Sequence, residues 1–396
     1  PQQVQHCSMV LGFSALRSLD ALILALSQGR VVQAPYARSN FATLVMSAGE
    51  AQAPPSSPAA AVGSTQQAEP METTTEPTAI PLFDIGANLI DGMFEGTYHG
   101  KQVHDADLHA VLTRAAEAGV RDVIVTAGSL HESKVALALV RKLRNASPVR
   151  LSCTVGVHPT RCKEFEQPGP GCEDPTTVAA LLAVAKDGMR DHSVSAIGEI
   201  GLDFDRLHFC PREVQERGFL AQLELAEKTG LPLFLHNRNT SGVFLSTLRE
   251  HRHRLPPAGG VVHSFDGPMD EMEALVGLGM HIGINGCSMR TEDNLHVAAS
   301  VPTDNLQLET DAPWCQIRRT HAGSVHVKTK FPEVKKERWD GKSCVKARNE
   351  PCYCIQVLEV LAAARGDEPL ALAQKVYGNS VRMFAPWRCE AREPSA

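Results

Sequence analysis

The 396-residue chain carries 11 cysteines but no C-x-x-C pair. An odd number of scattered thiols, with Cys352 and Cys354 the only close pair, argues against a disulfide framework or a zinc ribbon. It fits a reducing, intracellular compartment, cytoplasm or nucleus. Long apolar runs are missing too. No stretch approaches the ~18 residues a membrane span needs, and the best candidate, residues 21–26, is short and follows Arg17 and Asp20. The chain also lacks positive charge: at a net −6 it has no global attraction for nucleic acid or anionic membrane, so any phosphate-binding surface must be local. Several catalytic signatures are absent. No G-x-G-x-x-G follows the first strand-like run, and neither G-x-S-x-G nor H-E-x-x-H occurs. Gly341-Lys342-Ser343 ends like a phosphate-binding loop, yet Lys336 stands where that loop requires glycine.

What is present divides the chain in two. Residues 49–78 are Pro, Ala, Ser, Thr and Glu with almost nothing to bury, and such a stretch cannot offset its ordering entropy. It reads as a flexible linker. The start of the chain is rich in Ala, Ser and Leu and carries Arg17, Arg30 and Arg38. Residues 1–79 are therefore expected to be a disordered or targeting extension, with an organelle transit peptide as one form of it. The folded domain is expected over 80–390.

Within that domain eight short apolar runs recur, beginning near residues 80, 122, 151, 194, 231, 260, 281 and 306, with helical patterns between them. In 212-REVQERGFLAQLELAEKTG, Phe219, Leu223 and Ala226 share one face and Gly230 supplies the stop. Near-continuous apolar strands imply burial on both faces, as in a parallel sheet covered by helices. Eight strand–helix units predict an α/β protein with a (β/α)₈ TIM barrel, in preference to an open doubly wound sheet.

In such a barrel, polar residues at the C-terminal strand ends are the candidates for chemistry. Glu199 ends the fourth run, His236 the fifth, His263 the sixth and Asp311 the eighth. Two imidazoles and two carboxylates converging on one mouth suit a divalent ion such as Zn²⁺, Mn²⁺ or Mg²⁺. His158 closes the third run as a ligand, a donor to substrate or a satisfied structural histidine. Arg238 lies two residues beyond His236, on the same strand face, and is a candidate phosphate clamp. Arg206, beside Asp203 and Asp205, is a third substrate-binding candidate, with a loop ion pair as the plainer reading. Cys287 and Cys315 read as buried structural thiols. Residues 314–350 carry ten Lys and Arg, among them Arg318 and Arg348, with Trp314, Phe331 and Trp339 interleaved. That pattern suggests an anionic substrate and stacking on bases.

The segments GVHP, AIGEIGLDFDR, LPLFLHNR, GGVVHSFDG, IGINGCS and LETDAPWC resemble, in order and spacing, the TatD metal-dependent deoxyribonucleases. FDIGANL, GLDFDRLHFCPREVQ, THAGS and KARNEPC resemble the eukaryotic TatD domain-containing branch most closely. The resemblance spans residues 80–388. It implies a (β/α)₈ fold of the metal-dependent hydrolase superfamily and hydrolysis of DNA phosphodiesters, with endonuclease and 3′–5′ exonuclease behaviour among members. It also implies that Glu199, His236, His263 and Asp311 hold one or two divalent ions, with Glu199 and Asp311 the catalytic carboxylates and Asp311 doubling as general base. One departure stands out. Where many members end the first strand with H-x-H, this chain has Gly86 and Asn88, so a tight second ion would need His158 or His321.

These residues predict a DNA-cleaving enzyme that is a monomer or weak oligomer and has no membrane partner. Two other readings share the same residues: an esterase acting on aminoacyl-tRNA, and a catalytically weakened nucleic-acid-binding protein.

Overall fold

The structure is a computed structural model that describes residues 80–169 and 175–390; the extension and linker expected over 1–79 lie outside the described residues. Eight parallel strands follow one another in chain order around a single sheet. They are β1 (Leu82–Ala87), β2 (Val120–Val125), β3 (Arg150–Val155), β4 (Val194–Asp203), β5 (Leu233–Arg238), β6 (Gly260–Val262), β7 (Met280–Ile284) and β8 (Leu306–Leu308). The ends meet. Ala87 bridges Ala312 in parallel fashion, the Asp311 N–H donates to the Gly86 carbonyl at 2.8 Å, and the Asn88 N–H donates to the Ala312 carbonyl. The expected TIM barrel is what forms.

The crossovers form helices for local reasons. In α4 (Arg212–Thr229), following α1 (Leu108–Glu117), α2 (Leu130–Leu143) and α3 (Val178–Met189), the stripe Phe219, Leu223 and Ala226 is fully buried. Gly230 ends α4 at φ +71°, with its N–H returned to the Ala226 carbonyl. The Ser129 hydroxyl caps α2 by accepting from the Glu132 N–H. The helices α5 (Val243–Glu250), α6 (Met269–Gly277), α7 (Glu292–Ser300), α8 (Cys354–Arg365) and α9 (Pro369–Phe384) complete the outer ring. Among the described residues no helix is long and apolar enough to cross a membrane.

Alternation along the strands then places the site. Outward residues such as Leu233, Leu235, Val262, Ile282 and Leu308 join the main core against the helices. Inward residues Phe83, Ile85, Ile124, Phe234 and Val261 fill the lower bore, closed from below by Met383 and Phe384 of α9. Each such side chain contributes about 1.5–3 kcal/mol by leaving water. Two residues on, the same inward face turns polar: Phe234 gives way to His236, Val261 to His263, and Gln307 to Glu309 and Asp311. β4 departs from strict alternation, which from the inward Ala196 would aim Glu199 at the helices. A register irregularity between Ile197 and Ile200 re-aims it into the bore.

One expectation for residues 314–350 is corrected. Arg348 is 1% exposed and contributes nothing to a basic surface. It is tied to Asp107 at 2.5 and 2.8 Å and to Glu350 at 2.8 Å, and Arg114 binds Glu350 at 2.9 Å. This cluster fastens the long segment to the start of α1.

Candidate metal centre

At the mouth of the bore a cavity of about 890 Å³ opens, lined by Glu199, His236, His263 and Asp311. Glu199 Oε1 lies 2.7 Å from His236 Nδ1 and 2.8 Å from His263 Nε2, and those two nitrogens are 3.3 Å apart. Each imidazole has a second buried carboxylate behind it. His236 Nε2 lies 3.3 Å from Asp203 Oδ2, and His263 Nδ1 lies 3.5 Å from Glu309 Oε2. A ring whose far N–H faces a carboxylate holds its near nitrogen unprotonated. Both near nitrogens then aim lone pairs at one carboxylate oxygen, an arrangement that demands a cation or a proton between them.

The proton equilibria reflect that demand. Burial alone would raise the Glu199 carboxyl, but the His263 charge and then His158 hold it well below the usual range. Burial likewise opposes charge on His263, yet the Glu199 and Glu309 carboxylates lift it well above an ordinary imidazole. Against burial, Asp203 and then Glu199 raise His236. With the rings in this geometry, an imidazolium stands in for a positive ion.

His158 lines the same cavity with its Nε2 3.3 Å from Glu199 Oε1. Its Nδ1 accepts from the Thr160 N–H at 3.2 Å, so the neutral ring carries its proton on Nε2. Burial keeps His158 below the usual imidazole range. Of the three roles open to it, donor to an oxygen fits this tautomer best.

Asp311 lines the same cavity. Its Oδ1 accepts from Asn88 Nδ2 at 2.9 Å, and its Oδ2 is 3.2 Å from the Cys315 thiol. Burial pushes it up to about 6. The Asn88 Oδ1 accepts from the Thr126 hydroxyl at 2.8 Å, which turns the amide so that its Nδ2 faces Asp311. Asn88 is a positioning residue for Asp311. Gly86 offers no side chain: a Cβ there would come within 2.8 Å of Glu309 Oε2 and 2.9 Å of the Phe234 ring.

Residues 83–385 match the family model described as TatD related DNase. The chain belongs to the TatD family. It is 38% identical over 309 residues to Deoxyribonuclease Tat-D of Schizosaccharomyces pombe, an alignment covering 78% of this chain and 96% of that one. It is 33% identical to the 3′–5′ ssDNA/RNA exonuclease TatD of Musicola paradisiaca, over 76% of this chain and 97% of that one. Among solved structures, a hydrolase TatD family protein from Entamoeba histolytica superposes with a TM-score of 0.71 at 35% identity, covering 78% of this chain and 99% of that one. This is the family that the motifs suggested, and the barrel is its fold.

The residues present suit the divalent cation expected of a metal-dependent hydrolase. The nitrogens that converge on Glu199 Oε1 are His236 Nδ1 and His263 Nε2, and two imidazoles with a carboxylate form a set that borderline ions accept. Glu309 was not among the expected residues. It is fully buried, its Oε1 held by the Ser264 N–H and the Asn285 amide. The signal for it was present in 308-LETD, where residues 309 and 311 must share a face.

The mouth is ringed by Arg206, Arg238, Arg290 and Arg318. Arg206 is bonded to Asp203 at 2.8 Å. Arg238 is only loosely paired, 3.4 Å from Asp266 and 3.6 Å from Asp205. Trp314 lines the cavity and is 50% exposed. The other two aromatics of the segment are engaged elsewhere: Phe331 packs edge-on against Tyr353, and Trp339 donates to the Ser343 carbonyl beside the His104 ring. Cys287 and Cys315 line the cavity as well, where a structural role had been expected.

Proposed function

We propose that this chain is a divalent-metal-dependent nuclease that hydrolyses DNA phosphodiester bonds, with Glu199, His236 and His263 as ligands and Asp311 completing the set. The observation that carries this reading is the convergence of His236 Nδ1 and His263 Nε2 on Glu199 Oε1, within 2.8 Å, beneath a ring of arginines. When bound, such an ion polarises a phosphoryl oxygen and acidifies water. One tightly held ion is the reading, since Gly86 and Asn88 supply no second set; Zn²⁺, Mn²⁺ and Mg²⁺ all remain in play.

The chain's own groups do the rest. Arg238 and Arg318 grip the phosphates flanking the scissile bond, and Arg206 adds a charge at the rim. His158 donates its Nε2 proton to a phosphoryl oxygen. Asp311 accepts the proton of the attacking water at Oδ1 or Oδ2, its carboxylate held in place by Asn88. Trp314 stacks on a base at the entrance. DNA is the partner on this reading.

The test is cleavage of end-labelled single-stranded DNA by purified protein, with and without chelator, followed by adding back each ion. A charged tRNA is assayed beside it. Chelator should abolish DNA cleavage and one of the ions should restore it. Deacylation of the tRNA with intact DNA would overturn the nuclease reading in favour of the esterase.

A further inference from the structure

The proposed chemistry leaves two cavity-lining thiols without a task. Cys287 follows β7 and Cys315 follows β8, both are free, and their sulfurs are 2.8 Å apart. A disulfide would close that gap to about 2.05 Å. The segments bearing them are held together by their backbones: a Cβ on Gly286 would come within 2.1 Å of the Cys315 carbonyl oxygen. The pair is thus set by the barrel itself. The Arg290 guanidinium lies 3.4 Å from Cys287 Sγ, where it stabilises a thiolate. On its other side Cys315 reaches Asp311 Oδ2 at 3.2 Å. Cys287 is buried, Cys315 half-buried, and both open onto the cavity.

We propose that Cys287 and Cys315 form a reversible thiol–disulfide site in the cavity wall, whose oxidation lowers nuclease activity by removing the Cys315 S–H from Asp311. The oxidant is a low-molecular-weight disulfide. The Cys287 thiolate attacks one of its sulfurs, that S–S bond breaks, and the released thiolate takes up the proton that Cys287 lost. Cys315 then attacks Cys287 Sγ of the mixed disulfide, passing its own proton to the second leaving thiolate. Two protein thiols are oxidised and one small disulfide is reduced to two thiols. The product leaves Asp311 Oδ2 without that donor. The effect on activity rests on the function proposed above; the cross-link itself does not.

The experiment treats the full chain with hydroxyethyl disulfide, blocks remaining thiols, and maps peptides without reduction. Nuclease activity is followed before treatment, after it, and after dithiothreitol. Exposed Cys389 serves as an internal control for reagent access. The expected result is a peptide pair joined through Cys287 and Cys315, with activity lowered about tenfold or more and recovered on reduction. In Cys287→Ser the ratio of activity after and before treatment should stay near one, whatever its starting level. Absence of the joined peptides while Cys389 is fully modified would overturn the site. A complete cross-link with undiminished cleavage would overturn its effect on Asp311. If the reduced protein cleaves no DNA, the function reading fails while the peptide map still decides whether the site exists.

Discussion

Two clusters of buried charge can be compared directly, because each gathers side chains able to bind metal. One holds His158, Glu199 and His236; the other holds Cys344, Glu350 and Cys352. In the second, Asp107 and Glu350 face Arg114 and Arg348, and the acceptors are engaged at 2.5–2.9 Å. Positive charge already balances negative, so a cation entering there would meet two guanidiniums. In the first, Glu199, Asp203, Glu309 and Asp311 are all buried or nearly so, and of these Asp203 has the arginine partner, Arg206. The basic groups nearest Glu199 and Glu309 are imidazoles rather than guanidiniums. Ligand types alone do not separate a metal site from a structural one. The balance of charge around them does.

The largest test of that contrast is Arg348→Met, which keeps the volume, strands the buried Asp107 carboxylate and leaves Glu350 with Arg114 alone. Leaving that one buried charge uncompensated should cost about 3–5 kcal/mol of folding stability, read from urea unfolding, and adding divalent metal should not recover it. A small loss would mean that the cluster is not the closed ion network described. Next is Asp311→Asn. It should leave the melting curve close to wild type while lowering DNA turnover a hundredfold or more. Near wild-type turnover would remove Asp311 from the proton-transfer role.

The barrel was legible because each strand is buried on both faces and reads as an apolar run; all eight predicted runs became strands in order. His236, His263 and Asp311 were legible because they lie at or just past the ends of those runs, whereas Glu199 sits in the middle of β4; the cavity gathers all four. Three features were not. Glu199 points inward through a register irregularity that no two-residue alternation encodes. Arg348 looked like surface charge because its partner Asp107 lies 241 positions away. Asn88 read only as a missing imidazole, because nothing in FDIGANL shows that its amide joins Asp311 to Thr126.

Gly86→His sharpens the comparison from the other side by restoring an imidazole where many TatD proteins have one. If Glu309 and Phe234 already fill that space, the variant should lose about 1–3 kcal/mol through overpacking and bind no additional ion by elemental analysis. A rise in bound metal with unchanged stability would show that the bore can accept a second site, and Glu309 would then be a spare ligand.

The smallest effect concerns the rim, where the balance of charge gives way to stacking. Trp314 is half exposed at the cavity edge, whereas Phe331 and Trp339 are engaged by Tyr353, Ser343 and His104. Only a ring with a free face can take a base, and one exposed stack contributes about 1 kcal/mol. Trp314→Ala should therefore raise KM for single-stranded DNA about fivefold, leave kcat within about twofold, and leave the unfolding curve in place. Trp339→Ala should do the opposite, lowering stability before affecting KM. If the two variants behave alike, the aromatics act as packing throughout the segment, and DNA binding rests on the arginines alone.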